Sequence, residues 1–219
     1  VLDHVWLEGL PMRFDVYFIR HAESAANAGF STEYPSTIPL TETGRRQAKV
    51  LAATVDFAPA IIATSTFLRT QQTAEPWRAR FPNARHLTLP MIHEFTYLAP
   101  AAWQHSTASQ RRPAVDDYWQ RSDPDYCDGE GAESFRDLFV RVQQCMQWLD
   151  KEAEPPTVIV SHGMFIQGVL WRCRHPDLEV TSSTMRAFYA WQLEAHPPNA
   201  SVTRISLPLD RISASSTIA

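Results

Sequence analysis

The stretch Phe14–Asn27, FDVYFIRHAESAAN, decides how the rest of the chain is read. Phe14 to Ile19 are mostly β-branched or aromatic, a run too short for an ordinary helix and suited to a buried strand. The apolar run stops at Arg20 and His21. Ligands of α/β sheets bind just outside the carboxyl ends of the strands, so this pair stands where chemistry is done. Arg20 offers a planar fork of donors that fits phosphate or carboxylate. A fixed cation beside His21 disfavours its protonation and leaves a nucleophilic nitrogen free. Arg-His at a strand end also arises by chance, so the reading depends on what else reaches the same edge.

Working outward, Leu40–Val55 (LTETGRRQAKVLAATV) has helical spacing, with Thr41 as N-cap, Glu42 at the positive end, and Ala48, Leu51 and Ala52 as the apolar stripe. Gly44 in its first turns costs about 1 kcal/mol against alanine, which suggests a close packing approach. Ala60–Ala63 predicts a second strand and the following residues a helix, with Ser65 as N-cap. That places Arg69 in the helix's first turns, at the edge where Arg20 and His21 are expected. Arg85–Leu89 resembles a third strand, and Glu94 follows it after a short apolar turn. Thr157–Val160 is a fourth, running into Ser161-His162-Gly163 and a largely apolar helix, so His162 repeats the placement of His21. A helix starting at Gly163 would aim free backbone N–H groups at this edge, an arrangement that suits an anion. Glu133–Glu152 is a long amphipathic helix, with Phe135, Leu138, Phe139, Val142, Cys145, Met146 and Leu149 at steps of three and four. Ala187–Ala195 and Ala200–Leu207 read as two further strands joined by a turn at Pro197-Pro198-Asn199.

Between Phe95 and Glu130 the pattern breaks into Pro, Ser and Asp interspersed with Tyr97, Trp103, Tyr118, Trp119 and Tyr126. Only part of Ala114–Arg121 has helical character. A lid or specificity segment and a satellite hydrophobic cluster both fit. The expected organisation is a single domain over 12–209, with 95–130 as that insertion and 1–11 and 210–219 as extensions, the last frayed.

The 219 residues, 44% of them hydrophobic and 20% charged, suffice for a sizeable core, and a formal charge of -4 without basic runs argues against nucleic acid as partner. No apolar run reaches the ~20 residues of a membrane span. Cys127, Cys145 and Cys173 lack CxxC spacing, two of them lie in apolar helical patterns, and no secretory-type leader is evident, which together suggest a reducing cytoplasm. The histidines are not at metal-ligand spacing, so neither metal nor cofactor is expected. Oligomeric state is not readable.

Arg20-His21-Ala22-Glu23 with Asn27 six residues after the histidine, then LTETGRRQA, Ser65 to Arg69 as S-x-x-x-R, Glu94, and Ser161-His162-Gly163 together resemble the histidine phosphatase superfamily, the phosphoglycerate mutase-like proteins. Order and spacing match from about Phe14 to Leu207. The resemblance implies a three-layer α/β/α sandwich around a mainly parallel, mixed sheet, and a phosphohistidine intermediate. His21 would be the nucleophile. Arg20, Asn27, Arg69, His162 and Gly163 would hold the phosphate of a small phosphorylated substrate, and Glu94 would be the acid and base. Ala22 stands where the family most often has glycine, a change expected to be tolerated. The segment after Glu94 does not resemble the mutase version, which favours metal-independent phosphomonoester hydrolysis. The alternatives are a mutase using the same phosphohistidine, or a catalytically silent module that binds phosphorylated ligands.

Overall fold

The computed structural model describes residues 14–207 and the two-residue strand Thr217–Ile218. In chain order its elements are β1 (Phe14–Arg20), α1 (Glu42–Thr54), β2 (Ile61–Thr64), α2 (Leu68–Arg80), β3 (Arg85–Thr88), α3 (Ala108–Arg121), α4 (Phe135–Glu152), β4 (Thr157–Ser161), α5 (Gly163–Arg174), α6 (Ser182–Glu194), β5 (Val202–Leu207) and β6 (Thr217–Ile218). One sheet holds the strands in the order β3-β2-β4-β1-β5-β6. The first four are mutually parallel, while β5 and β6 run antiparallel to their neighbours.

Successive side chains of a strand point to opposite faces, and here both faces are apolar. Val16, Phe18, Ile61, Ala63 and Ile159 enter one core, with residues of α4, α5 and α6. Ile19, Ile62, Val158 and Val160 enter the other, with Ala52 of α1 and Ala74 and Trp77 of α2. Helices therefore cover both faces, which is the expected α/β/α sandwich. Register brings the parallel strands to a common end, since Arg20 pairs with Ser161 and Thr64 with both Val160 and Thr88. The segments that follow those strands must leave from one edge.

Gly44 explains itself here. A Cβ at that position would lie 2.0 Å from the Glu23 carbonyl oxygen, so only glycine lets α1 lie against the loop after His21. Thr41 caps α1 through the Gly44 N–H, as expected, and also donates to the Glu23 carboxylate at 2.6 Å.

Several local expectations need correction. Ala187–Ala195 is not a strand but the body of α6, N-capped by Thr181. Its aromatic content suggested β structure, yet Met185, Phe188 and Gln192 are buried at helical steps, and Tyr189 stacks on Trp119 at 4.4 Å between centroids. Pro197-Pro198-Asn199 consequently joins a helix to β5 and is no hairpin turn. Ser65 does not cap α2. Phe67 holds that position, and the Ser65 hydroxyl accepts the Phe67 N–H while reaching His162. The helix α3 begins six residues earlier than Ala114, under a Thr107–Gln110 capping box, and carries Pro113 inside it, a residue that ordinarily argues against a helix. Tyr118 and Trp119 belong to the main core, so this segment is not a satellite cluster. Thr217–Ile218 pairs with β5, within the end expected to be frayed. The remainder of the extensions lies outside the described residues.

Candidate active site

His21 follows the last residue of β1 and is 3% exposed. Its Nδ1 lies 2.8 Å from the Ala22 carbonyl oxygen, which can only accept, so Nδ1 carries the ring proton. Nε2 is left with its lone pair, which accepts the Nε–H of Arg69 at 3.0 Å. Burial, then Arg69, hold His21 well below the usual histidine range against the pull of the Ala22 carbonyl, and Arg20 and His196 add to the lowering. The imidazole is neutral, with its nucleophilic nitrogen turned toward a guanidinium.

The two arginines converge from different elements. Arg69 enters from the second residue of α2 and is buried, its guanidinium 4.9 Å from the Phe67 ring centroid and its Nη1 donating to the Pro35 carbonyl. Burial lowers it to about 10, opposed by Glu94 and assisted by Arg20. Arg20, at the end of β1, donates through Nη1 to the Pro197 carbonyl at 2.6 Å, while its buried Nε has no partner among the described residues. Burial lowers it too, against the attraction of Glu94.

His162 is the N-cap residue of α5 and is fully buried, 5.2 Å from His21 between ring centroids. Its Nε2 is 2.8 Å from the Ser65 hydroxyl, which is itself 2.9 Å from that of Thr70, and its buried Nδ1 is unpartnered. Burial first, then Arg69 and His21, hold it well below the usual histidine range. Two unpartnered buried nitrogens, Arg20 Nε and His162 Nδ1, thus lie on the same edge.

Glu94 reaches the edge from the loop after β3, and its environment differs from the expected one. Two of the free N–H groups of α5, those of Met164 and Phe165, are taken by Glu94 and do not face an open anion site. Phe165 donates to Glu94 Oε1 at 3.2 Å and Met164 to Oε2 at 3.5 Å, with Phe95 adding a third N–H at 3.0 Å, so the helix terminus holds the glutamate itself. Both flanks of Glu94 are clamped by the pair of buried Arg141 and half-buried Glu133. Arg141 donates to the carbonyls of Met91 and His93 while forking onto Glu133, whose carboxylate also accepts the Thr96 N–H. Burial pushes Glu133 up, but hydrogen bonds from His93 and Arg141 outweigh it and bring it down to about 2.

At Gly163 a Cβ would lie 2.7 Å from His196 Cε1 and 3.3 Å from Arg20 Nε, so a larger residue there would displace the His196 ring. Asn27 is exposed, and its side-chain oxygen accepts from Ser24 and from Asn199 Nδ2, leaving the NH2 as the part able to donate outward. Ala22 is fully buried beside Leu40 and Ala48, and its N–H donates to Thr73 at 3.1 Å, so its methyl is accommodated.

The edge thus gathers Arg20, His21, Arg69, Glu94 and His162, with Asn27 and Gly163 at its rim. Sequence reading missed the strap between α6 and β5. Pro197 holds Arg20, Asn199 Nδ2 donates to the His21 carbonyl at 3.0 Å, and His196 packs on Gly163. The Pro-Pro-Asn run marked a turn but gave no sign of where it would land. Beside Glu94 opens a cleft of about 180 Å³, lined among others by Pro35, Ile38, Phe95, Tyr97, Trp103 and Arg111. Among the described residues no three His, Cys, Asp or Glu side chains are grouped as a metal site, and no helix is long and apolar enough to cross a membrane.

The family profile of the histidine phosphatase superfamily (branch 1) matches residues 16–213, and the chain belongs to that superfamily. Among solved structures, a mycobacterial glucosyl-3-phosphoglycerate phosphatase is 22% identical with a TM-score of 0.66, covering 89% of this chain and 91% of its own. An alpha-ribazole phosphatase from Shigella flexneri is 19% identical (TM-score 0.66, covering 89% and 90%). A phosphoserine phosphatase from Entamoeba histolytica, solved with 3-phosphoglyceric acid, is 18% identical (TM-score 0.65, covering 87% and 89%). These likenesses are of fold. No curated protein matches the chain by sequence.

Proposed function

We propose that the protein is a metal-independent phosphomonoesterase that works through a phosphohistidine on His21. The observation that carries the reading is the tautomer. The Ala22 carbonyl commits the proton to Nδ1, so Nε2 is the free nucleophile, and burial beside two arginines keeps it unprotonated. The substrate phosphate takes its place between Arg20 and Arg69, whose Nε–H turns from Nε2 to a phosphoryl oxygen. Two guanidiniums roughly neutralise a phosphate dianion, and phosphoryl transfer asks mainly for positioning and charge stabilisation, which these residues supply. The unpartnered Nε of Arg20 and Nδ1 of His162 supply further contacts to the phosphoryl group, and Asn27 donates from the rim.

In the first step Nε2 attacks phosphorus, the ester P–O bond breaks, and Glu94 gives its proton to the departing oxygen. In the second, Glu94 takes a proton from water, the oxygen attacks phosphorus, the P–N bond breaks, and inorganic phosphate leaves with His21 regenerated. The alcohol part of the ester lies in the cleft beside Glu94, so the 95–130 segment of a single 12–209 domain sets substrate choice. The phosphatase names borne by proteins of similar fold favour hydrolysis over exchange. Three free cysteines, one of them exposed, accord with a reducing cytoplasm.

Rapid quench with phosphate-labelled substrate tests the reading. Label on the protein that resists alkali, is lost in acid and disappears in His21→Ala is the expected result. Label that survives acid, or that persists in His21→Ala, overturns it. Transfer of label to a second phosphoglycerate in place of release as inorganic phosphate would establish the mutase reading.

A further inference from the structure

His196 is a third histidine at the phosphate edge, and its ring orientation can be assigned as firmly as that of His21. Gln167, fully buried on α5, donates its Nε2–H to the Gln192 carbonyl of α6 at 3.0 Å. That bond fixes the amide so that its oxygen faces His196, whose Nδ1 lies 3.2 Å away. An amide oxygen only accepts, so Nδ1 carries the ring hydrogen and Nε2 is uncommitted. Nε2 is 3.0 Å, and Arg20 Nε 3.3 Å, from the point a Cβ of Gly163 would occupy. Imidazole and guanidinium therefore stand side by side on the first residue of α5. The neighbouring Pro197 carbonyl holds the same guanidinium, so one strap places His196 and braces Arg20 together.

This placement has a chemical consequence. A neutral His196 offers Nε2 only as an acceptor, and the oxygens of a dianionic phosphate are acceptors as well. The two cannot bond unless a proton comes between them. We propose that His196 is a proton-gated anion contact, at which a proton taken from water onto Nε2 makes it a second donor beside Arg20, so that a fully ionised tetrahedral anion binds together with one proton. The inference rests on the reading of the Arg20, His21 and Arg69 edge as the phosphate site.

The charged and titratable groups facing His196 are Arg20 on β1, His21 after it and Glu94 on the loop beyond β3, while Gln167 and Gln192 from the helices are neutral. His196 is exposed at the surface, but partial burial of its ring, then Arg20, lower its affinity for a proton, and Glu94 partly offsets them, so without a bound anion it is neutral at pH 7. A bound dianion reverses the balance and raises that affinity. Between the lowered value of the empty site and the raised value of the filled one, anion affinity increases as pH falls. Below the first value and above the second it levels off.

Sulfate serves as the probe because it stays a dianion from pH 5.5 to 8.5. Its dissociation constant is measured calorimetrically on the full chain across that range, in two buffers of different ionisation enthalpy so that protons are counted. Wild type is expected to bind up to about tenfold more tightly per unit fall in pH within the window, and to take up close to one proton more per sulfate than His196→Gln. At pH 8.5 the two should agree within about twofold. His196→Lys, with a permanent charge, should bind with the wild type's low-pH affinity and lack that proton. Equal slopes and equal proton counts in wild type and His196→Gln overturn the proposal while leaving the phosphate site intact. Sulfate binding unaffected by Arg69→Ala, or absent at every pH, overturns the site reading and this inference together.

Discussion

At the scale of the residue, what distinguishes the candidate site is the burial of groups that ordinarily stay wet. His21 and His162 are buried neutral, and in the unfolded chain both titrate near the ordinary histidine value of about 6.5. Their folded values are lower, so the native state is at full advantage above about 6.5 and loses stability as pH falls from there toward the folded values. Each contributes up to about 1.4 kcal/mol per pH unit in that window. Urea unfolding at pH 7, 6 and 5 should show the fall, and His162→Asn should remove one residue's share of the slope. Arg69 is the complementary case, a buried cation whose task is charge stabilisation. Arg69→Ala is expected to lower turnover by about 10²–10³-fold with little change in urea midpoint, whereas the solvent-exposed Arg46→Ala should leave turnover unchanged. Equal turnover in the two variants would place Arg69 outside the chemistry.

At the scale of the element, the site depends on helix ends meeting loops. The first turn of α1 lies against the Glu23 backbone because Gly44 has no side chain, and the first turn of α5 receives Glu94 on its free N–H groups. A Cβ at Gly44 would sit 2.0 Å from a backbone oxygen, a partner that cannot swing aside. Gly44→Ala should therefore cost about 3 kcal/mol or more despite the better helix propensity of alanine, and should impair turnover because the displaced loop carries His21. Thermal unfolding read alongside steady-state kinetics checks it. A variant as stable as wild type would mean that α1 can slide without cost. The capping boxes at Thr107 and Ser134 work locally, through hydrogen bonds over three residues, and start α3 and α4 without help from the site.

At the scale of the whole molecule, the 95–130 segment is partly core and partly cleft wall, and its aromatics divide accordingly. Tyr118 is 2% exposed among Phe95, Tyr97 and Trp119, while Trp103 is partly exposed and lines the cleft. Tyr118→Ala should lower the melting temperature and stability by about 3–5 kcal/mol and reduce the rate on every substrate alike. Trp103→Ala should leave stability nearly unchanged and shift relative rates across a panel of phosphoesters, with a small aryl phosphate affected least. Melting curves and the panel together discriminate, and a Trp103→Ala variant with equal losses on all substrates would remove the cleft from substrate choice.

The sequence by itself determined the strands that end at Arg20-His21 and Ser161-His162, the cap at Thr41, and the common placement of Arg20, His21, Arg69, Glu94 and His162. Strand period, capping chemistry and the rule that parallel strands share a carboxyl edge are local or topological, and so are carried by residue order. Only the tertiary structure decided the helical state of Ala187–Ala195, whose aromatic residues follow Trp119 and Trp171 rather than their own β propensity. It alone brought His196, Pro197 and Asn199 onto Arg20, His21 and Gly163, and set Glu94 on the N-terminus of α5. Those contacts span roughly 30 to 180 positions of chain, as in the packing of His196 on Gly163 and the bond from Arg20 to Pro197. No local pattern encodes them, because they exist only once sheet and helices have packed.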